Sequence, residues 1–255
     1  MDLIDVNAVL GPLPHYRSRL AGPAAVLAEM ERLGITEAWV RHSYALAYDP
    51  LEGNRETAVL VRDEPRFRGV WVMTPLMYEE FGGRDALLRE LAAGDFAALT
   101  ACPAEHAFSL ELWNAAPIYE MAVETGLPLL LDLSRGLAPT QVLEHVHEAA
   151  GAYPEAQFIL LSISYRLLRM LIPLLRQRPN VHVDISNFDT FRGVEALVEA
   201  VGPRQLLYGS QLPFFEPGMP LGRLIYADIT AADRELIAHG NARRLLAGRR
   251  LYGGV

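Results

Sequence analysis

Residues Leu206-Leu207-Tyr208-Gly209-Ser210-Gln211-Leu212-Pro213-Phe214 form an apolar run that stops at Gly-Ser, presents one polar side chain and turns at Leu-Pro. A strand buried on both faces reads as a continuous apolar run, and Gly and Pro mark where it stops. Such a strand aims the polar residue after it, here Gln211, at whatever lies beyond its C-terminal end. Working outward, the same arrangement recurs. Apolar runs predict strands over 3–9, 37–40, 68–73, 96–101, 127–131, 158–161, 181–185 and 206–208.

Between these runs, apolar residues at helical spacing predict helices over 24–33, 54–62, 85–92, 117–124, 140–150, 167–176 and 194–201, and helical segments fill 221–246. Gly34, Gly94, Gly126 and Gly202-Pro203 supply stop signals, and Thr140 is a natural N-cap. Eight strands alternating with helices over 255 residues predict an α/β protein, a (β/α)8 TIM barrel forming one domain over 1–255. An open doubly wound sheet is the alternative. No Gly-x-Gly-x-x-Gly follows the first strand to give that sheet a dinucleotide site. No linker, repeat or low-complexity segment interrupts the pattern.

Bulk properties narrow the function. Hydrophobic residues make up 51% of the chain, enough for a large core. A net charge of −8 argues against nucleic acid, whose phosphates call for a basic surface. The lone cysteine, Cys102, excludes an intramolecular disulfide and suits a reducing compartment. The N-terminus lacks a basic region followed by an apolar one, and no apolar run approaches the roughly 20 residues of a membrane span. The expectation is a soluble cytoplasmic protein with a small-molecule substrate or ligand, no nucleic-acid or membrane partner, and association with itself or with a homologue.

In a (β/α)8 barrel the chemistry sits at the C-terminal ends of the strands. Those ends carry Asn7, Val9, His42, Thr74, Cys102, Asp132, Ser162, Asp184 or Ser186, and Gln211. They are mostly polar where the strand interiors are not.

These residues resemble the amidohydrolase-related (amidohydrolase 2) family of metal-dependent hydrolases. Ile4-Asp5-Val6-Asn7-Ala8-Val9-Leu10-Gly11 is similar to that family's opening Ile-Asp-x-His-x-His-x-Gly, with Asn7 and Val9 in place of both histidines. The segment from Pro117-Ile118-Tyr119-Glu120 to Gly126-Leu127-Pro128-Leu129-Leu130-Leu131-Asp132 resembles the family's next helix and strand, with Asp132 where a His is usual. Phe158-Ile159-Leu160-Leu161-Ser162 matches the strand that usually ends in His. Gly209-Ser210-Gln211-Leu212-Pro213 resembles the family's Gly-Ser-Asp-x-Pro, with Gln211 for Asp, and Gly240-Asn241-Ala242 matches its closing helix start. The resemblance spans nearly the whole chain and implies the barrel, hydrolase-type activity and, as the family norm, zinc or another divalent metal.

Here every expected ligand position has changed. A transition metal needs three or four converging N, O or S ligands. Val9 has none to offer, Asn7, Gln211 and Ser162 are poor ones, and only Asp132 is good. The expectation is therefore no metal and no cofactor, and, if active, a metal-independent hydrolase or lyase. Asp132 and His42 are the catalytic candidates. A carboxylate ending an apolar strand has a raised pKa unless a cation such as Arg135 or Arg166 pairs with it, and His42 has a neutral-range pKa at a strand end. As plain structure, Asp132 is an ion-paired residue and His42 a hydrogen-bonded rim residue. Asn7, Thr74, Cys102, Ser162, Asp184 and Gln211 are the candidate substrate-binding residues, with Asn7 and Gln211 as donors to an oxyanion or carboxylate. Ser162 as a nucleophile lacks a Gly-x-Ser-x-Gly elbow, and a lone buried cysteine is usually inert. Two other readings stand beside this one: an inactive binding or assembly scaffold, and a metal-dependent hydrolase with an unfamiliar ligand set.

Overall fold

The computed structural model describes residues 1–14, 18–20, 22–133 and 139–250. His15 and Arg135 lie outside them. Eight strands run in chain order as one parallel sheet: β1 (Ile4–Leu10), β2 (Glu37–His42), β3 (Phe67–Met73), β4 (Phe96–Ala101), β5 (Leu129–Asp132), β6 (Phe158–Leu161), β7 (Val181–Asp184) and β8 (Leu206–Leu207). The segment after β8 brings the sheet back to β1. Val6 N donates to Tyr208 O at 3.1 Å and Val9 N to Leu212 O at 2.8 Å. The result is a nearly closed (β/α)8 TIM barrel, as the alternation of strands and helices predicts.

The helices cover the outside. They are α1 (Pro23–Leu33), α2 (Ser43–Ala47), α3 (Pro50–Asp63), α4 (Met77–Glu80), α5 (Arg84–Ala93), α6 (Leu112–Thr125), α7 (Pro139–Ala152), α8 (Leu168–Gln177), α9 (Gly193–Val201), α10 (Gly218–Tyr226), α11 (Ala231–Glu235) and α12 (Asn241–Ala247). Boundaries shift from the sequence reading for local reasons. α3 starts at Pro50 because Asp49 caps it, its Oδ1 accepting from Glu52 N at 2.8 Å. α6 starts five residues before Pro117, where Glu111 O accepts from Asn114 N and Ala115 N. β8 is only two residues long because the next amide, Tyr208 N, turns away to Ile237 O at 3.0 Å. The predicted helical stretch 221–246 is broken into α10, α11, a π-turn over Leu236–Gly240 and α12.

Strand alternation sorts the side chains into two cores. One lies between strands and helices. The other fills the barrel, where Ile4, Val6, Trp39, Val70, Leu130 and Leu207 pack together and Ala242 and Leu245 of α12 close the bottom. Asn241 fixes that closure, its Nδ2 donating to Pro203 O and Leu206 O, both at 2.8 Å. This accounts for the Gly-Asn-Ala motif. Among the described residues, no helix is long and apolar enough to cross a membrane.

Candidate active site

On β2, Trp39 points into the apolar barrel core and Arg41, two residues on, points inward above it; His42 points the other way. The same step of two leads from Leu130 to Asp132 on β5 and from His182 to Asp184 on β7. At the mouth these inward residues meet. The Arg41 guanidinium is fully buried and crosses from β2 to the opposite side of the barrel. Its Nη2 donates to Asp132 Oδ2 at 2.8 Å and to Asn7 Oδ1 at 3.3 Å. Asn7 Nδ2 donates in turn to Asp184 Oδ2 at 2.9 Å and to Ser162 Oγ at 3.0 Å. Five strands thus contribute to one polar layer.

Two of its three carboxylates are consumed by the scaffold. Asp184 also accepts from Ser162 N at 2.8 Å. Burial pushes its carboxyl up to about 6, against the lowering pull of Asn7, Ser162 and Ser186. Asp5 accepts from Asn7 N at 3.0 Å and Ser210 N at 2.8 Å and binds the Ser210 hydroxyl, and burial raises its carboxyl too. Asp132 differs. Its side chain is 14% exposed, and Arg41 holds it from below. Among the described residues, the cation paired with Asp132 is Arg41, which no strand-end reading singled out; Arg135 lies outside them. Inward alternation from Trp39 was the signal for Arg41.

The motif glycines follow from this packing. A Cβ on Gly209 would sit 2.4 Å from Asp184 Oδ2 and 3.1 Å from Asn7 Cβ. A Cβ on Gly11, whose φ is +101°, would meet His42 Nε2 at 2.6 Å. Ser162 (φ +58°) and Gln211 (φ +59°) are non-glycine residues held in the left-handed region. Such strain persists only where surrounding structure imposes it, and it concentrates at functional sites. Buried polar atoms without a hydrogen-bond partner among the described residues occur here on Arg41 (Nε and Nη1), Ser186 (Oγ) and Gln211 (Oε1).

The other predicted residues lie around this layer. His42 Nδ1 accepts from Tyr44 N at 3.2 Å, its backbone amide donates to Thr57 Oγ1 at 2.9 Å, and burial lowers its imidazole below the usual range. Among the described residues, these bonds and the Asp132–Arg41 pair run to different neighbours. Thr74 binds Glu80. Cys102 is buried, and desolvation pushes its thiol up to about 12 even with Arg41 nearby, so it stays a neutral thiol at pH 7. His182 is tied to Gln157 Oε1 at 2.9 Å, below the layer. Beside the mouth, Thr74 and Pro103, which follow β3 and β4, border a cavity of about 910 Å³ that also takes in Glu80, His106, Trp113 and His145.

The family profile described as Amidohydrolase matches residues 8–248. The chain belongs to the amidohydrolase family, in its amidohydrolase 2 branch. No curated protein matches. Among solved structures, the chain is similar to an uncharacterised TIM-barrel protein from Bordetella bronchiseptica, with a TM-score of 0.78 at 16% identity over 97% of this chain and 99% of that one. It is also similar to a dihydroxybenzoic acid decarboxylase from Polaromonas, solved with manganese and the inhibitor 2-nitroresorcinol: TM-score 0.77 at 16% identity over 96% and 97%. A third is a 2,6-dihydroxybenzoate decarboxylase complexed with 2,6-dihydroxybenzoate, with a TM-score of 0.72 at 14% identity over 96% and 99%. At these identities the structural likeness establishes the fold.

The manganese-bound neighbour corrects one expectation. The changed ligand positions predict no cofactor, whereas a structure matching this barrel over 96% of the chain holds a divalent metal. A divalent metal, rather than none, is what the comparison points to. The described residues do not by themselves make a centre for one. No three of their His, Cys, Asp or Glu side chains are grouped to hold an ion, and Asp132, the best single ligand, is paired with Arg41.

Proposed function

We propose that this amidohydrolase-family chain is a lyase or hydrolase acting on a small organic molecule over the Asn7–Arg41–Asp132 layer, with aromatic carboxylates the first class to consider. The observation that carries this reading is the division of labour among the three mouth carboxylates. Asp5 and Asp184 are fully buried and bonded into the scaffold, while Asp132 is partly exposed and held by a cation. A carboxylate so placed can exchange a proton with a bound molecule without losing its orientation. The decarboxylases of similar fold supply the substrate class.

In this proposal Asp132 is the proton-handling group and His42 a rim residue that supports the turn at Gly11. Thr74 and Cys102 border the bound molecule on the cavity side. Asn7, Ser162, Asp184 and Gln211 shape its floor. The protein works in the cytoplasm, as its lone buried cysteine suits, and associates with itself.

A screen of aromatic carboxylates, lactones and amides tests this, with manganese or zinc added in one set and chelator in another. The expected result is turnover that Asp132→Asn lowers by about 100-fold or more, within the range of general acid–base catalysis. Turnover unaffected by Asp132→Asn would remove Asp132 from its role. Absence of both turnover and small-molecule binding would favour the scaffold reading, which the internal pairing of Asn7 with Ser162 and Asp184 supports.

A further inference from the structure

We propose that Arg41 is a carboxylate anchor, holding one acidic group of the bound molecule on the nitrogens that the protein leaves unpaired; this rests on the reading of the mouth as a small-molecule site. A guanidinium carries five N–H donors and accepts nothing. Nη2 places its two on Asn7 and Asp132. The remaining three, on Nε and Nη1, have no acceptor among the described residues, although the side chain is fully buried. Each buried donor left so costs about 1–3 kcal/mol, and more when the group is charged. A protein that keeps such donors fixed at the mouth of its barrel has preorganised them for an oxygen ligand.

Three features select a carboxylate. A guanidinium's planar fork matches two carboxylate oxygens, and such charge-assisted bonds are shorter and stronger than neutral ones. Asp132 neutralises Arg41 from one side only, through Nη2. The other two nearby carboxylates are turned elsewhere, Asp184 toward Asn7 and Ser162, Asp5 toward Ser210 and the Asn7 amide. Cys102, the other inward neighbour, is a neutral thiol that adds no competing charge. Anchoring at Nη1 would leave Asp132 beside the ligand, still oriented by Nη2.

Calorimetric titration with benzoate and with its neutral isostere benzamide tests the anchor. The wild type should bind benzoate more tightly than benzamide by about tenfold or more, roughly 1.4 kcal/mol. In Arg41→Lys, which keeps the charge beside Asp132 but loses the fork, and in Arg41→Met, that preference should collapse while benzamide binding changes little. A purely structural role would weaken both probes together. Circular dichroism identifies which variants are folded, and Arg41→Lys decides the question if Arg41→Met is not. An unchanged benzoate preference in a folded variant, or no benzoate preference in the wild type, overturns the anchor. Neither result touches the turnover and the Asp132→Asn effect on which the broader reading stands.

Discussion

The bottom of the barrel and its mouth are built by the same strands, one inward step apart, and are almost equally buried, yet they behave as opposites. Trp39, Leu130 and Leu207 interdigitate below and leave nothing unsatisfied but surface area. One step up, Arg41, Asp132 and Gly209 assemble a charged layer with orphan donors, raised carboxyl groups and two residues in left-handed conformations. The lower layer stabilises the fold by removing apolar area from water. The upper layer is held in place against its own desolvation penalty by the rigidity of what lies beneath. Burial alone therefore does not distinguish core from site; the chemistry of the buried groups does.

The contrast can be broken most directly at its lower half. Trp39→Ala empties the largest side chain of the barrel core and should destabilise the protein by about 3–5 kcal/mol, read from urea unfolding. A loss below about 1 kcal/mol would mean that the bottom layer is not what supports the mouth.

A middle-sized effect sharpens the upper half. The Asp184 carboxyl is raised to about 6 from 3.8, so its contribution to stability is fully present below the unfolded value and is lost as pH rises through the folded one. Measured against Asp184→Asn, the wild type should lose on the order of 2–3 kcal/mol between pH 4 and pH 7 and then level off. A difference that grows in favour of the wild type with rising pH would show that the carboxylate is stabilised in place, contrary to this account.

The smallest effect is the most pointed. Gln211→Met keeps the chain length and removes a buried acceptor that has no partner among the described residues, so its stability should stay within about 1 kcal/mol of the wild type. A loss above about 2 kcal/mol would show that the Gln211 amide is bonded in the folded protein, leaving the mouth less open to a ligand.

Much of the fold was legible in the chain because its signals are local. Apolar runs gave the strands, and a polar residue closing each run located Asn7, Asp132, Ser162, Asp184 and Gln211 near the mouth. Gly11 and Gly209 were legible as motif residues, but their reasons, His42 and Asp184, are contacts from neighbouring strands. Arg41 was missed because its importance is not local. On β2 it is one basic residue beside a histidine, and only the curvature of the barrel carries its guanidinium across to Asp132 on β5.

The sequence by itself therefore determined the barrel, the family and the ring of polar strand ends, since periodicity, turn residues and motif spacing are properties of neighbouring positions. The tertiary structure decided which of those ends meet and which are already used. It set Asp5 and Asp184 into the scaffold, turned His42 outward and left Asp132 held by a buried Arg41. Those outcomes depend on distances between strands far apart in the chain, and no local pattern encodes them.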